Sequence, residues 1–304
     1  MLVHVLGSAA GGGFPQWNCN CANCSGVRAG SIRARPRTQS SLALSDGGGR
    51  WLLVNASPDV RAQIAACPVL QPGTPVRATG IAAVLLMDAQ IDHVTGLLSL
   101  REGRALTVLC SAPVRQDLSA GLPLFPVLGH YLDLNVVPLP DHGTPFVVAG
   151  IPRVTLRTVA LASKAPPYSP HRGDPHPGDN LGLVAEDAVS GRRLFYAPGL
   201  GAVDGAVAQE LAQADIALID GTCWHDDELA RAGIPGPKRA REMGHLPLAG
   251  AGGMLEQLAR FPRPRKILIH INNTNPVLDE DSPERRELDH LGIEVAEDGM
   301  ELAL

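Results

Sequence analysis

The sequence is poor in aromatic residues, in clusters of one charge and in long apolar runs. Aromatic residues make up 4 % of the 304 positions, and Lys and Arg are spread along the chain without a cluster. With a formal net charge of −5, this pattern excludes the basic surface typical of nucleic-acid-binding proteins. No uncharged apolar run reaches the roughly 18 residues that a membrane span needs, so we expect no membrane segment.

The first residues predict a strand rather than a targeting segment. Residues 2–6 are apolar and β-compatible, they follow no basic leader, and they are too few for a signal peptide. We therefore expect a cytoplasmic protein. In that compartment, six cysteines indicate thiols or metal ligands rather than disulfides.

The length and the order of the predicted elements favour two sheets covered by helices. A chain of 304 residues is enough for one large domain or two small ones, and its 33 Gly and 26 Pro predict many turns and loops. Strand patterns occur mostly as hairpins early in each half, with helical patterns after them, unlike a doubly wound parallel sheet. No linker is visible, so we predict one domain over residues 1–304.

Three cysteines form a compact C-x-C-x-x-C array at Cys19, Cys21 and Cys24. Thiolates at such spacing are typical of a structural zinc site with four ligands. An iron–sulfur cluster would need a fourth cysteine, and the other cysteines lie in apolar or helical contexts. The fourth zinc ligand stays open among three candidates: His245, His290 and a residue near Asn273.

A second group of metal-binding residues follows two apolar strands. Asp92 and His93 come after the strand pattern 81–87, just before a helix predicted over 94–101, and His270 ends the strand pattern 266–269. Two imidazoles and one carboxylate match the ligand set of non-haem Fe(II) oxygenases and also that of catalytic zinc. The ligand types alone do not decide between these metals.

Several further polar residues are candidates for lining this site. Asp88 and Gln90 precede the Asp92–His93 pair, Asp179 and Asn180 follow a polar loop, and Asp220 ends a buried strand. His245 lies in a Gly-flanked loop and titrates near neutral pH, so it is the best acid–base candidate.

Five segments, spread over the whole chain, together resemble one known family. They are the glycine-rich stretch 7–19, the cysteine array, and the segments 87–97, 195–199 and 270–276. On these segments the sequence resembles the metallo-β-lactamase superfamily and, within it, the pyrroloquinoline quinone (PQQ) biosynthesis protein B family. The resemblance implies an α+β fold, an αββα four-layer sandwich in which two mixed sheets are flanked by helices.

The chain departs from the hydrolases of this superfamily at their first metal site. Those enzymes carry H-x-H-x-D-H after the strand, and here Asp88 and Gln90 replace the two leading histidines. The region of Asp179 and Asn180 replaces a third histidine, and Gly199 replaces a bridging aspartate. The resemblance thus implies that only the second metal site is retained, which argues against two-metal hydrolysis.

For function, the resemblance implies PQQ biosynthesis by an iron-dependent oxygenase that hydroxylates the tyrosine ring of a Glu-Tyr precursor. Fe(II) is the expected active-site metal, with zinc or another divalent metal as the alternative. We expect Asp88, Asp179 and His245 to orient the substrate or move protons. Two other functions stay open, a one-metal zinc hydrolase and a non-catalytic PQQ carrier. The expected partner is a small peptide-derived substrate or a PQQ-like product, and homodimer formation stays open.

Overall fold

The computed structural model describes residues 1–74 and 76–304. The strands, numbered along the chain, are β1 (Leu2–Gly7), β2 (Ser41–Ser45), β3 (Trp51–Val54), β4 (Ile81–Leu85), β5 (Ala105–Cys110), β6 (Asp133–Pro138), β7 (Val154–Ala160), β8 (Leu181–Asp187), β9 (Arg193–Ala197), β10 (Ile216–Asp220), β11 (Arg265–Ile269), β12 (Ile293–Val295) and β13 (Glu301–Ala303).

Short helices connect these strands. They are α1 (Ala22–Ala29), α2 (Val60–Ala66), α3 (Ile91–Val94), α4 (Ala112–Gln116), α5 (Leu124–Leu128), α6 (Gly205–Gln213), α7 (Glu228–Arg231), α8 (Ala240–Met243), α9 (Met254–Ala259) and α10 (Pro283–His290). Tighter 3₁₀ segments occur at Pro68–Leu70, Thr95–Leu100 and Pro276–Leu278, and a π-helical turn at Asp117–Gly121.

The described strands form two mixed sheets. The first has the order β13-β1-β2-β3-β4-β5-β6, and it is antiparallel as far as β3 and parallel from β3 to β6. The second has the order β12-β11-β10-β9-β8-β7, and it is parallel from β12 to β9 and antiparallel from β9 to β7. Each sheet therefore combines hairpins with parallel strands that are joined through helices.

Both sheets bury both of their faces. Along β10, Ile216 and Leu218 belong to the apolar core between the sheets, whereas Ala217 and Ile219 belong to the core under the helices. This alternation follows from the two-residue period of a strand. A third apolar core packs helices against the outer face of the first sheet. The prediction of two mixed sheets flanked by helices is confirmed.

The parallel strands bring their carboxyl ends to one edge of the molecule. The ends of β9, β10 and β11 are neighbours in the second sheet and lead into Gly199, Asp220 and His270. Strand β4 of the first sheet leads into the segment 86–93. Ligand sites of α/β proteins commonly lie outside the carboxyl ends of such strands. Among the described residues, no helix is both long and apolar enough to cross a bilayer.

The helix after β4 begins earlier than the sequence pattern predicted. It starts at Ile91 rather than at Val94, and from Thr95 it continues as a 3₁₀ segment. Asp92 and His93 therefore lie inside the first turn of α3. The carbonyl of His93 accepts the backbone N–H of Ala56 at 2.7 Å, and the backbone N–H of Gly96 donates to the carbonyl of Ala56 at 2.9 Å. These bonds hold the metal-binding turn against the end of β3.

This close contact makes Gly96 a position where a side chain cannot fit. A Cβ atom there would lie 1.9 Å from the carbonyl oxygen of Ser57, which is backbone and cannot rotate away. We expect Gly96→Ala to lower the free energy of unfolding by about 3 kcal/mol, measured by urea denaturation. Gly205→Ala is the matched control, because its Cβ would meet nothing within 4 Å. Equal stability of both variants would contradict this packing.

Candidate metal centre

A cavity of about 260 Å³ lies at the shared edge of the two sheets. Strand ends and loops from both sheets surround it. It is lined by Ala10, Gly11, Asp88, Gln90, Asp92, His93, Ser163, Asn180, Gly199, Thr222, Leu229, Met243, His245, His270 and Asn272.

Three of the predicted metal ligands converge in this cavity. The Oδ2 atom of Asp92 lies 3.3 Å from Nε2 of His270 and 3.8 Å from Nε2 of His93. Ligand atoms from all three residues lie within 4.8 Å of one another. His93 is 2 % exposed, and its buried Nε2 has no hydrogen-bond partner among the described residues. A divalent cation fits this set, because it would satisfy the buried nitrogen and the carboxylate together.

The opposite ring nitrogen of each histidine is held by a neighbour. Nδ1 of His93 lies 2.8 Å from both carboxylate oxygens of Asp88, and Nδ1 of His270 lies 2.8 Å from Oγ1 of Thr222. When Nδ1 carries the proton and donates it to these oxygens, Nε2 presents its lone pair to the metal position. Asp88 therefore contacts the candidate metal ligand His93 rather than the metal position. We assign Asp88 to orienting the His93 ring.

His270 also owes its position to the backbone. Its φ angle is +61°, in the left-handed region that residues other than glycine seldom adopt. This conformation turns the chain sharply at the end of β11. The hydrogen bond from Thr222 Oγ1 to the His270 carbonyl, at 3.0 Å, secures the turn. Such local strain is often found where a functional side chain must be aimed.

Charge within the cavity favours a cation. Burial alone would raise the pKa of Asp92, but His93 and His270 outweigh it and hold that pKa well below its usual range. Burial alone would lower the pKa of His93, but the carboxylates of Asp88 and Asp92 outweigh it and raise that pKa to about 9. In the metal-free protein, a proton on His93 thus occupies the place that a metal takes.

His245 enters the same cavity from a different direction. Its Nδ1 donates to Oδ2 of Asp220 at 2.6 Å, and its ring stacks on that of His270 with centroids 5.3 Å apart. Burial lowers the pKa of His245, but Asp220 outweighs that effect and the net shift is upward. His245 thus lies beside the metal position with a pKa raised by a buried carboxylate, a placement that suits an acid–base group.

Asp220, His245 and His270 form a second cluster with ligand atoms within 4.8 Å. The carboxylate of Asp220 is already surrounded by donors: the backbone N–H of Leu200 at 2.8 Å, the backbone N–H of Thr222 at 2.9 Å and the hydroxyl of Thr222 at 2.6 Å. We therefore assign Asp220 to orienting His245 and Thr222 rather than to binding a metal.

Asp179 was predicted as a catalytic residue, and the structure places it away from the cavity. Its carboxylate accepts from Nε2 of His171 at 2.6 Å and from the backbone N–H of His176 at 2.7 Å. The next residue, Asn180, lines the cavity instead. Asp179 lies in the turn before β8, where its backbone N–H donates to the carbonyl of His176 at 3.1 Å, whereas Asn180 pairs with Asp88. This placement argues against a catalytic role for Asp179.

The three cysteines of the array also converge. The Sγ atoms of Cys19, Cys21 and Cys24 lie within 4.8 Å of one another, and all three are free thiols. Burial raises the pKa of the Cys21 thiol to about 11. For Cys19, hydrogen bonds from Cys21, Cys24 and Asn273 outweigh burial and lower the thiol pKa. Three sulfurs that share donors in this way fit a structural zinc ion.

Of the three candidates for the fourth ligand, the side chain of Asn273 lies at the thiols. Its Nδ2 atom is 3.1 Å from the sulfur of Cys19 and 3.4 Å from that of Cys24. His245 lies in the cavity described above, and the exposed His290 contacts the carbonyl of Arg286. Of the three candidates for the fourth ligand, the structure therefore favours the region of Asn273.

One group was missed at the sequence level, the hydroxyl of Thr222, which contacts both His245 and His270. The sequence feature that could have indicated Thr222 is its position two residues after Asp220, which ends a buried strand. Of the predicted pair Asp179 and Asn180, it is Asn180 that lines the cavity. No feature of the sequence distinguished Asn180 from Asp179, because both follow the same loop.

The raised pKa of His93 predicts proton release when the active-site metal binds. Below pH 9 this histidine is protonated in the metal-free protein, so metal affinity should rise with pH up to about 9 and then level off. We expect release of about one proton at pH 8, measured by calorimetry of Zn²⁺ binding in buffers of different ionisation enthalpy. Asp88→Asn removes a carboxylate that raises this pKa and should clearly reduce the release. Unchanged proton release in Asp88→Asn would contradict the assignment.

The thiol cluster predicts a separate effect on stability. Cys21→Ser should remove one zinc ion per chain and lower Tm by at least about 5 °C, while the active-site metal is retained, because structural zinc contributes folding free energy. Metal analysis and thermal unfolding measure both effects. Cys67→Ser, which changes a buried cysteine outside the array, should keep both metals. If Cys21→Ser lost activity while its Tm stayed unchanged, the assignment of the cysteines to a structural site separate from the active site would be wrong.

Comparisons with known proteins agree with this architecture. Residues 50–271 match the family described as a beta-lactamase superfamily domain. Coenzyme PQQ synthesis protein B of Pseudomonas aeruginosa is 60 % identical and that of Pseudomonas syringae pv. syringae 58 %, each over the full length of both chains.

Among solved structures, zinc-bound PqqB from Methylobacterium extorquens is 40 % identical, with a TM-score of 0.92 over all of both chains. A diphosphatase of the PhnP family, 17 % identical, has a TM-score of 0.67 over 100 % of this chain and 97 % of its own, and it shows the fold alone. The chain belongs to the coenzyme PQQ synthesis protein B family, within the metallo-β-lactamase superfamily.

Proposed function

We propose that this protein acts in the synthesis of coenzyme PQQ as a non-haem iron-dependent oxygenase. Its substrate would be a Glu-Tyr unit, and the reaction would hydroxylate the tyrosine ring. Membership in the coenzyme PQQ synthesis protein B family supports the pathway. The chemistry of the cavity supports the reaction type.

One observation carries the proposal: the cavity offers ligands for one metal, and the side chains of Asp88 and Gln90 beside them are bound to other protein groups. Asp88 is bound to His93, and the side-chain amide of Gln90 donates to the carbonyl of Lys164 at 3.1 Å. A hydrolase that holds its water between two metals would need these positions as ligands. The set formed by Asp92, His93 and His270 instead resembles the two-histidine, one-carboxylate arrangement of iron oxygenases, which leaves coordination positions open.

The overall reaction defines what the site must accomplish. One atom of O₂ enters the ring as a hydroxyl group and the other leaves as water, which consumes two protons and two electrons from an external reductant. A bound Fe(II) ion would supply the activation of O₂. The protein would contribute orientation of the substrate, exclusion of water and control of protons.

His245 is suited to the proton step. Asp220 holds its Nδ1, so the opposite nitrogen is the one available to the cavity. The buried carboxylate stabilises the protonated ring, and the ring can donate to an oxygen beside the metal position and recover a proton afterwards. Asp88 would contribute indirectly, by keeping His93 in the orientation that ligates the metal.

Zinc in the related structure from Methylobacterium extorquens favours a second candidate, a one-metal zinc hydrolase. Such an enzyme would cleave an ester or amide bond without O₂. A carrier of PQQ, the remaining alternative, would bind the finished quinone tightly and catalyse nothing.

The deciding experiment measures O₂ uptake by Fe(II)-loaded protein supplied with a reductant and the Glu-Tyr dipeptide. We expect uptake together with a product that is heavier by one oxygen atom. His270→Ala should reduce uptake to the level of free Fe(II), and His245→Gln should slow it about 10²- to 10⁴-fold with the metal still bound. His290→Gln is the matched control, because this exposed residue lies outside the cavity.

Two results would contradict the oxygenase. Cleavage of the dipeptide by zinc-loaded protein without air would favour the hydrolase. Tight binding of PQQ, with no O₂ uptake under any metal loading, would favour the carrier.

A further inference from the structure

The cavity contains a polar side chain that the metal centre does not use. Asn180 lines the cavity and is 4 % exposed, and its buried Nδ2 has no hydrogen-bond partner among the described residues. The backbone around it is fixed, since the Asn180 carbonyl accepts the N–H of Leu161 at 2.9 Å and the N–H of Leu181 donates to Met87 at 2.8 Å. The carboxamide is therefore held in the cavity wall by strand pairing.

A buried donor without an acceptor is unfavourable, and such groups in folded proteins usually have a partner outside the polypeptide. The carboxylate of the residue paired with Asn180 is already engaged. This residue, Asp88, gives one carboxylate oxygen to the N–H of Gln90 and both oxygens to His93. The acceptor for Asn180 is thus expected to arrive with a ligand.

The same cavity has unfilled space at Gly199. A Cβ atom built there would meet nothing within 4 Å, and the backbone of Gly199 is not in the left-handed region. Nearby glycines differ, since a Cβ at Gly201 would lie 2.5 Å from the carbonyl of Ala162, and one at Gly244 2.5 Å from Oγ of Ser163. The open space is therefore a local property of position 199.

The size of the cavity limits what it can hold. Its volume is about 260 Å³, and it is partly open to solvent. One aromatic ring with a polar substituent fits such a volume, and the rest of a dipeptide would extend through the opening. The ring of the substrate, rather than its backbone, is thus the part expected inside.

We propose that Asn180 donates a hydrogen bond to the phenolic oxygen of the substrate tyrosine and that the ring lies in the space beside Gly199. This assignment rests on the proposed function, because it takes the tyrosine-containing dipeptide as the substrate. It makes Asn180 a binding residue that distinguishes tyrosine from phenylalanine.

Zinc-loaded protein allows a test by binding alone, because zinc does not support the redox reaction. The dissociation constants of the Glu-Tyr and Glu-Phe dipeptides would be measured by calorimetry. We expect wild-type protein to prefer Glu-Tyr. Asn180→Leu, which keeps the number and branching of the side-chain heavy atoms but removes the donor, should weaken Glu-Tyr binding about tenfold and leave Glu-Phe binding unchanged. Gly199→Ala should weaken the binding of both dipeptides.

The controls separate substrate binding from folding and from metal binding. Asn135→Leu on the exposed side of β6 and Gly205→Ala should not change either dissociation constant. Both cavity variants should retain wild-type affinity for zinc. Loss of zinc in Asn180→Leu would show that Asn180 is a metal ligand and would overturn the proposal.

A preference for Glu-Tyr that persists in Asn180→Leu would also overturn it, as would a wild-type protein without any preference. If wild-type protein prefers Glu-Tyr through Asn180 but never takes up O₂ with Fe(II), the oxygenase fails while this assignment stands. If hydroxylation occurs while Asn180→Leu keeps its preference, only this assignment fails.

Discussion

The site depends on one repeated interaction, a hydrogen bond from the Nδ1 of a buried histidine to a fixed oxygen. Asp88 receives this bond from His93, Thr222 from His270 and Asp220 from His245. In each case the bond directs Nε2 away from its partner. The metal-binding nitrogens and the proton-holding nitrogen are thus aimed by groups that need not touch metal or substrate.

The two metal centres share one short segment of chain. His270 lies in the cavity, and three residues later Asn273 contacts the cysteine sulfurs. Thr274 then donates to the buried carboxylate of Glu228 at 2.6 Å, and the side chain of Asn275 donates to the carbonyl of Gly221 at 2.8 Å. The cysteine cluster therefore contacts the turn that begins at His270, so an ion bound by the cysteines would help to hold His270 in place without adjoining the cavity.

The superfamily fold is retained here while its two-metal chemistry is not supported by the side chains present. Asp88 has become an orienting carboxylate for His93, Gln90 secures the loop at Lys164, and Gly199 leaves space where a side chain would stand. Asp88 and Gln90 are thus bound to protein groups, and the region beside Gly199 is unfilled. That region is then available to a substrate.

Residue types and strand patterns determined the fold class and the candidate metal ligands at strand ends, which the structure then places together. The alternation of apolar residues and the Asp92–His93 pair at a strand end both involve residues that are neighbours in the sequence. They could be predicted because strand geometry places such residues in a regular way.

Only the tertiary structure decided which oxygen accepts the hydrogen bond from each histidine. It also decided that Asn180 rather than Asp179 faces the cavity, and that Asn273 contacts the cysteine sulfurs. These contacts join distant parts of the chain: Asn273 and Cys19 are separated by 254 positions. The choice between residues 179 and 180 depends on where the turn before β8 ends and on the pairing of Asn180 with Asp88. That pairing joins distant segments of the chain, so no local pattern of residues predicts it.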